Sequence, residues 1–313
     1  MFFHVFYFLW KIDLFFSCAC EQSAGACFFC AFDKIADTLY PNDQQKGDVR
    51  MIQAAVCGVG RTGSEVLRAL LDSDRFHLTA AFCSPCGEKA GHDAGTLINR
   101  TSTGVVIREI TQIEQTLSES HIDVLIDFSI AANSKAILRA CKKSRTNVVF
   151  CTTGYTEADM LWMTDFVRHN KLGVVFAPNV TLGVNVLLAA LRLVARALPS
   201  FDYHITETHH SKKFDIPSGT AKKIANTLTQ ELPAGAEIPI DAVRAGGYVG
   251  MHTVLLASDY ERLSLTHESF SRRAFVEGAL TAAEFIVNRT GWYEMEDVLG
   301  MRIAQEHEAS AVS

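Results

Sequence analysis

The chain has 313 residues, 48% of them hydrophobic and 20% charged, long enough for two domains with real cores and too apolar to be disordered through most of its length. A formal charge of -6, with no run of Lys or Arg to neutralise a track of phosphates, argues against a nucleic-acid partner. Nine cysteines fit reduced thiols in a cytoplasmic protein. The zinc-spaced pairs Cys27/Cys30 and Cys83/Cys86 each lack a second such pair, so no metal is expected.

Residues 1–50 differ from everything downstream: Met1 to Phe32 is crowded with Phe and Cys, and the chain then turns polar to Arg50. A signal peptide needs a basic start, whereas Lys11 is the first cation. A membrane span needs about twenty apolar residues, and His4 and Asp13 interrupt the run. The segment is expected to be an over-extended start or a disordered leader ahead of Met51, with a lipoprotein-type signal ending at Cys18 as the alternative. No membrane partner is expected.

From Met51 short apolar runs alternate with amphipathic stretches. Strands are predicted at Ile52 to Cys57, Leu78 to Cys83, Val124 to Phe128, Val148 to Cys151 and Val174 to Ala177. Strand alternating with helix predicts a Rossmann-like, doubly wound parallel sheet, with the ligand at the strand C-terminal ends. After Asn179 a long apolar helix (VNVLLAALRLVARAL) leads to the strand YHITET and a helix from Ser218 to Leu232. Strand-like runs follow at VRAGG, GMHTVLLAS and ERLSLTHES. These predict an α+β domain with an open antiparallel or mixed sheet, and the tail from Arg273 to Met301 is predicted to be amphipathic helix.

Directly after the first strand stand Gly58, Val59, Gly60, Arg61, Thr62 and Gly63. This G-x-G-x-x-G turn lets the backbone approach a pyrophosphate, and the following helix offers free N–H groups and a positive dipole end. A plain strand-to-helix turn is the alternative. The second strand ends in Cys83 and Ser84 with no carboxylate for the adenosine ribose, and Arg61 could meet a 2′-phosphate. That leans toward NADPH over NADH.

The run ETHHSKKFDIPSGTAKKIA concentrates the chemistry. Ser218 is a natural N-cap, the N–H groups near Gly219 and Thr220 can hold a carboxylate, and Lys213 adds charge. His209 or His210 can move a proton near neutral pH. A satisfied histidine pair followed by an ordinary helix start is the alternative reading, and adjacent histidines on a strand point to opposite faces, which disfavours zinc.

These segments together resemble the 4-hydroxy-tetrahydrodipicolinate (dihydrodipicolinate) reductase family. The resemblance runs from Met51 to about Met301 through GVGRTG, GHDAG (Gly91 to Gly95), DFS (Asp127 to Ser129), CTTG (Cys151 to Gly154), APNVTLGVN (Ala177 to Asn185), ETHHSKKFDIPSGTA, VRAGGYVGMH (Val243 to His252) and EDVLG. The glycine turn is one residue shorter than the family's common GxxGRMG, with Thr62 in place of Met, and Cys151 replaces the usual Gly.

The resemblance implies NADPH- or NADH-dependent reduction of a small dicarboxylate in lysine and diaminopimelate synthesis by a homotetramer. It implies that His209 is the general acid/base, Lys213 the proton donor, and His210, Gly219 and Thr220 the carboxylate site. Gly58, Val59, Gly60, Arg61 and Thr62, Ser84 at the ribose end, Cys151, Thr152, Thr153, and Ala177, Pro178, Asn179, Val180 would line the dinucleotide. The domains would be 51–180 for the dinucleotide, 181–271 for substrate and tetramer, and 272–313 returning to the first. Two other readings are a non-catalytic dinucleotide-binding regulator and another Rossmann-type dehydrogenase.

Overall fold

The computed structural model describes residues 50–301, so the leader expected over 1–50 lies outside the described residues except for Arg50. Seven parallel strands form the larger sheet: β1 (Ile52–Cys57), β2 (Phe76–Cys83), β3 (Ile107–Glu109), β4 (Val124–Asp127), β5 (Asn147–Phe150), β6 (Gly173–Phe176) and β11 (Gly291–Glu294). Their order is β11-β6-β5-β4-β1-β2-β3. The chain therefore runs outward in both directions from β1 and β4. The crevice between their C-terminal ends is where such sheets bind ligands.

These strands are almost continuously apolar because both faces are covered. On one face α1 (Arg61–Leu71) and α8 (Arg273–Ile286) bury Val66, Leu67 and Leu70 with Val276, Ala279 and Ala283 against Ala54, Val56 and Ile126. After β2 comes a four-residue helix, α2 (Ala94–Leu97), and on the other face α3 (Ile113–Glu119), α4 (Ser134–Ser144) and α5 (Glu157–Asn170) bring Leu117, Leu138 and Met163 onto Phe82, Leu125 and Phe150. Truncating a fully buried leucine such as Leu125 to Ala would cost about 2–5 kcal/mol.

The second sheet has four strands in the order β10-β9-β7-β8, from β7 (Asp202–His209), β8 (Ile240–Arg244), β9 (Gly250–Ala257) and β10 (Arg262–Ser269). It is mixed: β7 pairs parallel with β8 and antiparallel with β9, and β9 pairs antiparallel with β10. Two helices, α6 (Leu182–Ala197) and α7 (Gly219–Glu231), cover one face, with Leu188, Leu191, Ile224 and Leu228 packed on Ile205, Val254 and Leu256.

Three local expectations need correction. The tail is helical only to Ile286; Gly291–Glu294 then adds an edge strand parallel to β6, and a short helix α9 (Met295–Val298) follows. Four residues of strand are too few to register as alternation. The three-residue β3 went unpredicted for the same reason. The strand expected at VRAGG begins earlier, at Ile240, and stops at Arg244 before the glycines.

Candidate active site

The glycine turn has a distinct task at each glycine. Gly58 has φ +89°, and a Cβ there would lie 2.6 Å from the backbone of Phe128 and Ser129, so the DFS segment after β4 closes directly onto it. A Cβ on Gly63 would stand 1.9 Å from the carbonyl oxygen of Gly58, so the helix seats against the turn only with glycine there. A Cβ on Gly60 would meet nothing within 4 Å. The helix it caps has no side-chain cap. Open space and uncapped N–H groups are what an incoming pyrophosphate requires.

Beside the turn is a cavity of about 280 Å³ lined by Gly58, Val59, Gly60, Ser84, Lys89 and Asn133, among others. Arg61 and Thr62 open α1, with Arg61 exposed. Lys89, which was not singled out from the sequence, donates to the carbonyl of Val59. Glu109 ends β3 opposite Cys83 and accepts from the Cys86 N–H at 3.0 Å. Lys89 and Glu109 thus both stand near Cys83 at the end of β2. The residues fit a dinucleotide without a ribose-binding carboxylate at the end of β2.

The loops after β4 and β5 are tied together by Asp127, which is fully buried. It accepts from the Ser129 N–H at 3.0 Å and from the Thr152 hydroxyl at 3.4 Å. Burial pushes its carboxyl up to about 6, against the hydrogen bonds from Ser129, Cys57 and Thr152. Cys151 and Thr152 are buried, as are Ala177 and Val180. Thr153, Pro178, Asn179 and Gly219 line a second cavity of about 630 Å³ together with Lys222 and Lys223.

Across this cleft, the Thr220 hydroxyl donates to Asn179 Oδ1 at 2.9 Å, joining the start of α7 to the loop after β6. Ser218 caps that helix through the Ala221 N–H at 3.2 Å. Among the described residues the N–H groups of Gly219 and Thr220 have no protein partner. They are free for an anion.

His209 ends β7 and is 6% exposed. His210 lies beyond the strand, half-buried, its N–H held by the Tyr248 carbonyl at 2.8 Å. Lys213 pairs with Asp215 at 2.8 Å. His209, His210 and Lys213 border neither cavity; they form a separate cluster next to the α7 N-terminus.

Three residues of this cluster were missed from the sequence: Glu207, Arg244 and His252. Glu207 precedes His209 by two on the same strand, so both side chains share the face on which Tyr203 and Ile205 enter the core. A carboxylate continuing an apolar alternation was the available signal. His252 lies opposite Glu207 on β9. Burial brings the His209 imidazole down to about 4, with the charges of Lys213 and Arg244 acting in the same direction and Glu207 against them. Burial brings His252 down to about 4 as well, helped by His209. Both rings are therefore neutral at pH 7. Glu207, His209 and His252 also offer donor atoms within 4.8 Å of one another, but the guanidinium of Arg244 already stands 2.9 Å from that carboxylate.

A parallel sheet with a phosphate-type glycine turn at its switch point, in a chain that also carries a buried Glu207–His209–His252 cluster and a free helix N-terminus, has the parts of a dinucleotide-dependent oxidoreductase. Family models for the N-terminus and C-terminus of dihydrodipicolinate reductase match residues 52–180 and 183–299. The chain belongs to the dihydrodipicolinate reductase family.

Among its relatives, the 4-hydroxy-tetrahydrodipicolinate reductase of Methanothermobacter thermautotrophicus is 35% identical over 272 residues, covering 80% of this chain and 100% of the relative. That of Methanosarcina acetivorans is 36% identical over 266 residues, with the same coverage. The fold is shared with a solved dipicolinate-bound dihydrodipicolinate reductase from Paenisporosarcina sp. TG-14. The TM-score is 0.66 at 23% identity, over 78% of this chain and 98% of that one. An amine dehydrogenase from Mycobacterium smegmatis shares it more distantly, with TM-score 0.57 at 12% identity, over 76% of this chain and 93% of that one.

Proposed function

We propose that this chain reduces 4-hydroxy-tetrahydrodipicolinate to tetrahydrodipicolinate with NADPH or NADH and with loss of water, in diaminopimelate and lysine synthesis. The observation that carries the reading is the gathering of His209, Lys213 and the free α7 N-terminus just beyond the C-terminal end of β7, linked through Thr220 to Asn179 on the dinucleotide side.

The substrate's ring carboxylates suit the N–H groups of Gly219 and Thr220, with His210 as a further hydrogen-bonding side chain and the cations of Lys213, Lys222 and Lys223 supplying charge in an otherwise acidic protein. The reduced nicotinamide supplies the hydride that adds to ring C4. The resulting enamine needs a proton at C3. In this reading Lys213 donates it and His209, neutral at pH 7, is the acid/base beside it. The dinucleotide is held by Gly58 to Thr62, by Ser84, by Cys151 to Thr153 and by Ala177 to Val180.

We place the dinucleotide domain at 51–180, the substrate and tetramer domain at 181–271, and the returning segment at 272–313. The uncovered face of the smaller sheet, carrying Met251, Thr253 and Leu255 on β9 and the exposed Val243 on β8, supports a homotetramer formed through it. We take the enzyme to be cytoplasmic, as expected for a biosynthetic reductase; among the described residues no helix is long and apolar enough to cross a membrane. The test is a coupled assay in which the preceding synthase supplies substrate and oxidation of NADH and NADPH is followed separately. Turnover with at least one supports the proposal, and turnover with neither refutes it.

A further inference from the structure

Burying a carboxylate costs several kcal/mol unless it is paired, and Glu207 is wholly buried at the core end of β7. One oxygen, Oε1, is fully used: it accepts from the Ser218 N–H at 3.0 Å and from Arg244 at 2.9 Å. The other, Oε2, has no hydrogen bond and faces Nδ1 of His209 at 3.2 Å and Nε2 of His252 at 3.7 Å. His209 Nδ1 is likewise unpartnered and buried. Here the two are in reach but not aligned, as is common before substrate binds. His252 Nε2 is also 3.2 Å from the Ser218 hydroxyl, and its ring meets that of His209 edge-on at 5.1 Å.

Glu207 thus touches both halves of the site at once. Through Oε1 it fixes the residue that caps α7, and through Oε2 it addresses the ring nitrogen of His209 that points away from Gly250. The other ring nitrogen, Nε2, has no hydrogen-bond partner among the described residues and lies 3.0 Å from where a Cβ on Gly250 would stand. Hydrogen bonds from Ser218 and Arg244 hold the Glu207 carboxyl below its usual range despite the opposing effect of burial. It is an acceptor only, so any hydrogen between it and His209 sits on the ring.

We infer that Glu207 is a positioning residue that holds His209 as the Nδ1–H tautomer, leaving Nε2 as the nitrogen that exchanges protons during turnover, while it pins Ser218 and with it the carboxylate-binding helix start. The inference rests on the proposed role of His209 in proton transfer. Its first test needs no variant: long-range ¹H–¹⁵N spectra of the wild-type protein at pH 7, with His209 assigned by a His209→Asn control. An Nδ1-protonated, Nε2-bare ring is expected. An Nε2–H tautomer overturns the inference whatever the activity.

The second test is Glu207→Gln, which keeps shape but offers an N–H toward the ring. A fall in kcat of about a hundredfold or more is expected, the scale of losing an oriented acid/base, with the pH profile displaced, the dissociation constant for NADPH unchanged, and partial recovery in Glu207→Asp. Wild-type kcat and an unmoved profile overturn it. If His209→Ala keeps wild-type kcat while the tautomer is as expected, the proton-transfer reading has failed and the positioning has not.

Discussion

Acidification from pH 7.5 to pH 5 should destabilise this fold, and the sign follows from three buried groups. His209 and His252 sit near 4 in the folded chain, against about 6.5 unfolded. The unfolded chain therefore takes up protons first as pH falls through that window, and stability is lost. At pH 5 each ring alone would be worth about 2 kcal/mol. The rings lie 5.1 Å apart, so the second proton is taken up against the first and about 3 kcal/mol for the pair is the better figure.

Asp127 acts in the opposite sense: its folded value of about 6 exceeds the unfolded carboxyl, so it regains about 1 kcal/mol on the way to pH 5. The net expected loss is roughly 2 kcal/mol, a fall of about 4–8 °C in Tm for a domain of this size. Urea unfolding at both pH values measures it, and His252→Asn should remove close to half of the histidine contribution. Stability that is flat or rises between pH 7.5 and pH 5 would refute the account of this buried cluster.

Lys213→Ala and His209→Ala should each lower kcat by about a hundredfold, with little change in cofactor affinity; steady-state kinetics with titration of NADPH checks both, and wild-type kcat in either removes that residue's role. In Gly250→Ala the new Cβ would stand 3.0 Å from His209 Nε2. The ring must shift, so kcat should fall at least tenfold while Tm changes by only a few degrees. Unchanged kcat there means that Nε2 is not the working nitrogen.

The larger sheet was legible because its strands are apolar on both faces and punctuated by helices, so β1, β2, β4, β5 and β6 could be read within two residues of their ends. The short edge strands β3 and β11 could not, since three or four residues carry no period and form only because β2 and β6 present open edges. The active site divided in the same way. Gly58 to Gly63, His209, Lys213 and Ser218 are contiguous and could be read from two short segments. Arg244 and His252 reach Glu207 only through the pairing of β7 with β8 and β9, and no spacing within the sequence encodes that register.

Isotope labelling tests the central claim most directly. With NADPH or NADH deuterated at the transferable position of the nicotinamide, reduction of enzymatically supplied 4-hydroxy-tetrahydrodipicolinate should place deuterium at ring C4. With unlabelled cofactor in D₂O, solvent deuterium should appear at C3 of the product. The C3 delivery should be about a hundredfold slower in Lys213→Ala. Product with no cofactor-derived deuterium at C4, or solvent label delivered to C3 at the wild-type rate without Lys213, would contradict the account.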